Sequence, residues 1–515
     1  MNGAEVIFET LARSGLEVVF TNPGTSEMQL VAALDIVTAV RPVLGLFEGV
    51  CTGAADGYSR ACGKTAATLL HLGPGLANGL ANVHNAKKAG SAVVNIIGDH
   101  ATYHLELDAP LTSDIAAVAR PMSHHVESLV GPEDIATGSA AAMAASQANG
   151  GQVSTLIVPA DLAWSTAQVD PVTATLTAPS QADGDIGPAV EALRDHPERT
   201  MLFLGGRGAL RDDVIALAGK IQAETGCRLG VPTFNGNVPR GQGRAALEGT
   251  PYFAELAVNF FDSIDTLVLI GAKPPVAFFA YPDKPSILTR PDCHLVTLAA
   301  PGAPCMDMMT ALVDGVGAGQ AAPRTPVPHD LGKPSGPITT ETFAAAIARH
   351  IPENALISDE AISFSMNLPR MTLASAPHGW MSCTGGAIGQ GLPVAIGAAI
   401  GAPDRKVMAI TGDGSAMYTI QSLWTMAREN LDVIVVVVNN AAYNILQFEM
   451  LRTGANSISE RAQTMLGLGD PRLDFCAMAT GMGVPAVRVD TAEALDDALA
   501  RAAKEPGPQL IEAMV

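Results

Sequence analysis

Apolar residues along this chain come in short unbroken runs, each ended by Gly, Asp, Asn, Pro or Thr. In the first third these are Val18–Phe20, VLGLFE at 43–48, ATLLHL at 67–72, AVVNIIGD at 92–99 and STLIVPAD at 154–161. Helix-like stretches of small residues separate them, GVCTGAADGYSRACG at 49–63 being the clearest. Such alternation is the pattern of parallel strands buried on both faces and joined by right-handed βαβ crossovers. It recurs at RTMLFLGG, CRLGVPTF, DTLVLIGA and CHLVTLA, and again from 338 to the strand-like QLIEAMV. Residues 165–186, with Pro, Ser, Thr and Gly, and 319–337, dense in Pro and Gly, show neither period and read as linkers. The expected architecture is α/β: three doubly wound parallel-sheet domains, at 1–165, 187–318 and 338–515.

Length and composition agree with this picture. At roughly 150 residues per domain, a chain of 515 calls for about three cores. It is 48% hydrophobic and 16% charged, with 51 glycines, which fits buried sheets. A formal net charge of -20, without any Lys/Arg-rich run, argues against nucleic acid and anionic membranes as partners. The 7 cysteines are scattered without a CxxC pair, so neither a disulfide framework nor a zinc site is indicated. The N-terminus reads as an amphipathic helix, and no apolar run reaches the length of about 20 residues that a bilayer requires. A cytoplasmic location is expected.

The most informative stretch is KVMAITGDGSAMYTIQSLWTMARENLDVIVVVVNNAAY, from Lys406 to Tyr443. Its apolar runs Val407–Thr411 and Val433–Val438 flank a helix-like segment, as in one βαβ unit. Asp413 and Asn440 follow the two strand ends, where ligands of open α/β sheets bind. Two side-chain oxygens converging there suit a hard cation such as Mg²⁺, which also takes phosphate oxygens. Gly412 and Gly414 allow close backbone approach, and the next helix N-terminus favours an anion. Taken singly, Asp413 could be a helix cap and Asn439-Asn440 a turn.

Upstream, Ile396-Gly397, Pro403, Met408 and Ile410 lead into Gly412-Asp413-Gly414-Ser415. This spacing resembles the signature of thiamine-diphosphate (ThDP) enzymes, in particular the pyruvate-oxidase/decarboxylase group that includes acetolactate synthase and benzoylformate decarboxylase. The resemblance spans essentially the whole chain and implies pyrimidine-binding, central and diphosphate-binding domains. It implies ThDP and Mg²⁺ as cofactors, with Asp413, Asn440 and the Ala442 carbonyl on the metal. Gly386, Ile388, Gly412, Gly414, Ser415, Tyr443 and Asn78 would lie against ThDP, Ile388 propping its folded shape. Glu48, followed by Ala55-Asp56-Gly57-Tyr58-Ser59-Arg60, matches the glutamate that hydrogen-bonds the pyrimidine and so promotes loss of the thiazolium proton. Read alone, Glu48 is also compatible with a glutamate in a first helical turn. The central domain holds FAD in some relatives. Gly205-Gly206-Arg207-Gly208 leaves room for it, though FAD is not expected and a plain strand-to-helix turn is the simpler reading.

Substrate positions rest on weaker likenesses. Asn22-Pro23-Gly24-Thr25-Ser26-Glu27 resembles a substrate-holding loop of benzoylformate decarboxylase, with Thr25 at the serine position. Leu70-His71-Leu72 resembles its histidine motif, making His71 the candidate acid/base; imidazole as a side-chain type suits that work. The second histidine of that enzyme has no counterpart in Gly271–Tyr281, where Phe278, Phe279 and Tyr281 would form an apolar wall. His100 and His104 follow a strand at the right level to reach the site, or simply cap a loop. His124-His125 is expected on the surface, and Leu446 stands where pyruvate decarboxylases carry a glutamate.

The activity implied is attack on a 2-oxo acid, loss of CO₂, then either capture of a second carbonyl (acetolactate-synthase-like carboligation) or protonation to an aldehyde. A non-catalytic subunit of the same fold is the reading from another class, and retention of Glu48, Asp413 and Asn440 together argues against it. In the family the site lies between two subunits, so a homodimer is the minimum and a homotetramer is expected.

Overall fold

The computed structural model describes residues 1–176, 182, 184–282, 284–327 and 330–515. Positions 177–181 and 183 of the first expected linker, and 328–329 of the second, lie outside the described residues. Among the described residues eighteen strands form three sheets. The first holds β1 (Val18–Asn22), β2 (Arg41–Leu44), β3 (Ala66–Leu70), β4 (Val93–Asp99), β5 (His125–Ser128) and β6 (Val153–Pro159), in the order β2-β1-β3-β4-β6-β5, all parallel. The second contains β7 (Thr200–Leu204), β8 (Arg228–Val231), β10 (Glu248–Gly249), β11 (Thr266–Ile270) and β12 (His294–Ala299), ordered β10-β8-β7-β11-β12. The third comprises β13 (Ala355–Glu360), β14 (His378–Ser382), β15 (Val407–Gly412), β16 (Val433–Asn439), β17 (Ala486–Val489) and β18 (Gln509–Met514), joined at one edge by β9 (Val238–Arg240); its order is β17-β18-β16-β15-β13-β14-β9.

The βαβ reading of 406–443 is borne out: β15 and β16 are adjacent and parallel, with Val407 opposite Val433. Their residues are buried throughout up to the strand ends, as a central parallel strand covered on both faces requires. Two features depart from expectation. VLGLFE is not one strand ending in Glu48: β2 stops at Leu44, Phe47 is the N-cap, and Glu48 is the first residue of the Glu48–Cys62 helix. In addition, β9 leaves the middle stretch of sequence and pairs antiparallel with β14 of the third sheet.

The first and third sheets share one core. The Glu48–Cys62 helix lies against the Gly391–Gly401 helix, and buried residues from both sheets merge into a single apolar cluster. Glycine makes the approach possible: a Cβ on Gly397 would lie 1.8 Å from the Ala54 carbonyl oxygen, and one on Gly57 2.1 Å from that of Val394. A buried ion pair within the Glu48–Cys62 helix reaches across the same contact through its arginine. Arg60 holds Asp56 through Nε (2.8 Å) and Nη2 (2.5 Å) and reaches the Ser382 carbonyl (2.8 Å) and Thr384 Oγ1 (2.8 Å). The Asp56–Arg60 pair therefore positions the loop that carries Gly386 and Ile388.

Candidate active site

In each outer sheet the chain reverses its direction of strand addition near the middle, between β1 and β3 and between β13 and β15. Crevices open beyond the carboxyl ends of strands at such switch points. The candidate residues gather at these two places.

At the first switch point, His71 follows β3 and the Thr25–Glu27 turn follows β1. His71 Nδ1 lies 2.8 Å from Glu27 Oε2 and 3.2 Å from Ser26 Oγ. Glu27 is fully buried and also accepts from the Gly24 amide (2.8 Å) and from Ser26 Oγ (2.7 Å). The end of β4 closes on it, since a Cβ on Gly98 would sit 1.8 Å from Glu27 Oε1. Glu27 thus fixes the orientation of His71 and its Nδ1. Glu48 lies alongside: a Cβ on Gly75 would be 3.5 Å from both Glu48 Oε1 and His71 Cβ. Asn78 Nδ2 donates to Glu48 Oε2 at 3.1 Å. Thr25 is exposed at the rim.

At the second, Asp413 is 3% exposed and its Oδ1 accepts from the Gly414 amide at 2.8 Å. Its Oδ2 is buried without any hydrogen-bond partner. Burial pushes the Asp413 carboxyl up, against the backbone N–H groups of Gly414, Ala441 and Ala442. Asn440 lies just beyond β16, its Oδ1 accepting from the Ala442 amide at 3.0 Å. The Tyr443 ring covers Gly414, where a Cβ would meet Cε1 at 2.4 Å. Gly412 ends β15 as N-cap of the short Asp413–Ala416 helix, in which Ser415 is buried. Among the described residues no group of three His, Cys, Asp or Glu side chains could hold a metal. A cation here would depend on Asp413 Oδ2, the Asn440 and Ala442 oxygens and oxygens from outside the chain. An orphaned buried carboxylate oxygen beside neutral oxygen donors fits Mg²⁺.

Gly386 and Ile388 belong to the loop between β14 and the Gly391–Gly401 helix, which docks on the Leu72–Ala89 helix. Asn85 Nδ2 donates to the Ala387 carbonyl (2.8 Å), and His84 Nε2 lies 3.2 Å from that of Gly385. Asn82 Nδ2 bridges the carbonyls of Gly49 (2.8 Å) and Gly389 (3.4 Å), so the start of the Glu48 helix and the Ile388 loop are neighbours in one chain. No hydrogen bond or ion pair among the described residues joins Glu48 to Asp413 or Asn440.

Backbone strain marks the same crevices. Among the described residues seven non-glycine positions have positive φ, and four of them are Asn or Asp, which tolerate it. The other three are Leu72 (φ 53), Ile362 (φ 48) and Ala441 (φ 55), next to His71, beyond β13 and next to Asn440. Apolar residues in this conformation persist where surrounding structure over-determines them, commonly at functional sites.

The rings of His100 and His104 lie 5.4 Å apart, and His100 Nε2 is buried without a partner. His124 is exposed and His125 pairs with Glu127 on β5. Leu446 is 47% exposed on the Asn444–Arg452 helix. Arg207 of the glycine turn reaches Ser59 Oγ at 3.4 Å in the first block, which leaves its guanidinium engaged between sheets. Glu27 was the residue sequence reasoning missed. The Gly24–Glu27 loop was visible, but its partner lies 44 positions away.

Comparison with known proteins agrees with this geometry. Residues 1–120 match the thiamine pyrophosphate enzyme N-terminal TPP binding domain and residues 363–513 the C-terminal TPP binding domain. The chain is 47% identical to a provisionally named acetolactate synthase large subunit, IlvX, of Mycobacterium tuberculosis, covering 100% of this chain and 99% of the relative. It is 28% identical to benzoylformate decarboxylase of Pseudomonas aeruginosa, covering 98% of this chain and 97% of that one. The fold is shared with the 4-hydroxybenzoylformate decarboxylase of Rhodococcus jostii RHA1 (TM-score 0.82, 23% identity, 99% and 98% covered) and the benzoylformate decarboxylase of Polynucleobacter necessarius (TM-score 0.83, 21% identity, 100% and 99% covered). With matching domains at both ends and a relative this similar along its full length, the chain belongs to the thiamine pyrophosphate enzymes, in the group of acetolactate synthase and benzoylformate decarboxylase.

Proposed function

We propose that this chain, with ThDP and Mg²⁺, decarboxylates a 2-oxo acid. The observation that carries the reading is the His71–Glu27 pair beside Glu48, at the strand ends of the first sheet. Bound ThDP supplies the electron sink that lets the 2-oxo acid release CO₂. Asp413 Oδ2, Asn440 and the Ala442 carbonyl would hold Mg²⁺, a cation that also takes phosphate oxygens. Gly412, Gly414 and Ser415 line that end, and Tyr443 packs over Gly414. Gly386 and Ile388 support the rings, on a loop held by Asn85 and Arg60. Glu48, fixed by Asn78, is the carboxylate for the pyrimidine. His71, steadied by Glu27, gives the proton that releases an aldehyde. Thr25, His100 and Leu446 border the substrate. Glu48 and Asp413 come from different copies of the chain, in a homodimer or homotetramer.

The 47% identity to a relative named as an acetolactate synthase favours a second outcome, in which a further carbonyl replaces the proton. Incubation of the purified protein with ThDP, Mg²⁺ and a panel of 2-oxo acids separates the two. Aldehyde without acyloin is the expected product; acetolactate from pyruvate would establish carboligation instead. Glu48→Gln is expected to abolish turnover and keep the fold, and retained turnover would remove the core of the reading.

A further inference from the structure

The last strand of the third sheet, β18, carries a single charged residue, Glu512, between Ile511 and Ala513. It is fully buried. A carboxylate in that position is costly unless opposite charge and hydrogen bonds meet it. Three donors do so: Arg488 Nε at 3.0 Å, the Cys476 amide at 3.4 Å and Asn439 Nδ2 at 2.7 Å. Arg488 stands directly opposite Glu512 on β17, and its Nη2 also holds Asp474 at 2.8 Å. Arg488 offsets the charge, yet the shortest of the three bonds goes to a neutral side-chain amide.

That amide lies at the edge of the second crevice. Asn439 is the final residue of β16, and Val437, two positions earlier, is the sheet partner of Glu512. Side chains two apart share one face of a strand, so Asn439 reaches Glu512 on the diagonal. Its Nδ2 has a longer contact with the Leu473 carbonyl, at 3.5 Å. Its Oδ1 accepts from the Ala441 amide at 3.3 Å, while Asn440 Oδ1 accepts from the Ala442 amide at 3.0 Å. Between them Ala441 holds φ 55, a left-handed conformation that an alanine keeps only under constraint. The Ala441 carbonyl accepts from the Leu468 amide at 2.6 Å. The turn that carries the Asn440 and Ala442 oxygens is thus held on one side by Leu468 and on the other by Glu512, through Asn439.

We propose that Glu512 is a positioning residue for the metal site: acting through Asn439, it fixes the turn at Ala441 and so sets where the Asn440 and Ala442 oxygens stand. This rests on the cation reading above and adds the residue that orders the neutral half of the donor set. Glu512 gives no oxygen of its own to the metal.

Two measurements on the full chain test it, in the natural protein, Glu512→Gln and Asn439→Ala. In the first, Mn²⁺ stands in for Mg²⁺ and is titrated at saturating ThDP, with the free ion read by electron paramagnetic resonance. Groups that orient metal ligands commonly carry about 10–100-fold in metal affinity, and each variant is expected to weaken Mn²⁺ binding about tenfold or more. The second needs neither metal nor turnover. Hydrogen exchange of the cofactor-free chain, read by mass spectrometry, should quicken at 439–443 in both variants and stay as in the natural protein at 433–438. An unchanged Kd for Mn²⁺ in both variants would overturn the proposal. So would faster exchange spread evenly along β16 and β18, which is the result a merely structural ion pair gives. Should Glu512→Gln fail to fold, Asn439→Ala decides alone, since it leaves the Glu512–Arg488 pair in place. Failure of the natural protein to bind Mn²⁺ with ThDP would remove the cation reading and this proposal together, whereas normal binding in natural protein and variants alike removes the proposal only.

Discussion

Asp413 Oδ2 is buried, ionisable and without a partner, and a charge left in that condition is costly unless a cation meets it. The cost is relieved by binding. Thermal unfolding of the natural protein should shift upward on adding Mg²⁺ with ThDP, by about 2.7 kcal/mol at a hundredfold excess over Kd. Asp413→Asn should abolish that shift without lowering the unliganded midpoint, because it removes the uncompensated charge. A different economy governs His71. Its Nδ1 is tied to a buried carboxylate, so the remaining ring nitrogen is the one available to a substrate. His71→Ala is expected to lower kcat by about 10²–10⁴-fold, the usual share of a positioned acid or base. Glu27→Gln keeps the imidazole and should cost less, with the loss appearing in kcat more than in KM.

Elements set these residues in place, and here packing and titration give their own tests. Gly397 faces a carbonyl oxygen at a distance no Cβ can share, so Gly397→Ala must push the Glu48–Cys62 and Gly391–Gly401 helices apart. A loss of about 3 kcal/mol or more in denaturant unfolding is expected. Gly481, with nothing within 4 Å of its Cβ position, is the control at which Ala should be tolerated. Glu360, at the end of β13, accepts from the Gln390 and Gly391 amides (2.9 and 3.0 Å) at the start of the same helix. Burial pushes it from 4.5 up to about 7. The folded state then holds this proton over a range where the unfolded chain has released it. Its contribution to stability is full below pH 4.5 and is lost as pH rises to about 7. His378, lowered by burial to about 4, acts with the opposite sign, so the difference between the natural protein and Glu360→Gln isolates the carboxyl. That difference should shift by a few kcal/mol across the window, read by urea unfolding at successive pH values.

The elements also show which parts of the site could be read in advance. Asp413 and Asn440 were legible because each directly follows a long apolar run, and a parallel strand end puts such residues in the crevice. Glu48 was legible as a residue but not as a position: the apolar letters of VLGLFE continue past Leu44, while the backbone turns at Gly45 and enters a helix at Glu48. Glu27 escaped because its role depends on a strand crossover that brings His71 beside it. The strand Val238–Arg240 escaped because three residues containing a proline carry no periodicity.

At the scale of the whole molecule, the two crevices face different problems. Glu48 and the Ile388 loop are neighbours within one chain through Asn82, whereas no hydrogen bond or ion pair among the described residues joins Glu48 to Asp413. Exposed Leu46, Tyr418 and Leu446 stand around these loops, at 46%, 53% and 47%. Their cover would come from a second copy. Light scattering is expected to give at least twice the chain mass of 53.0 kDa, and a monomer that turns over substrate would refute the shared site.

The three-residue β9 has a consequence beyond its size. It covers the backbone of β14 from His378 to Trp380, and Arg240 lays its guanidinium over the Trp380 ring. Without it, β14 would be an open sheet edge, a template on which another chain could pair. Excising the middle stretch to obtain a minimal two-sheet protein would uncover that edge. The shortened protein would be prone to aggregate, however well its two remaining cores were packed.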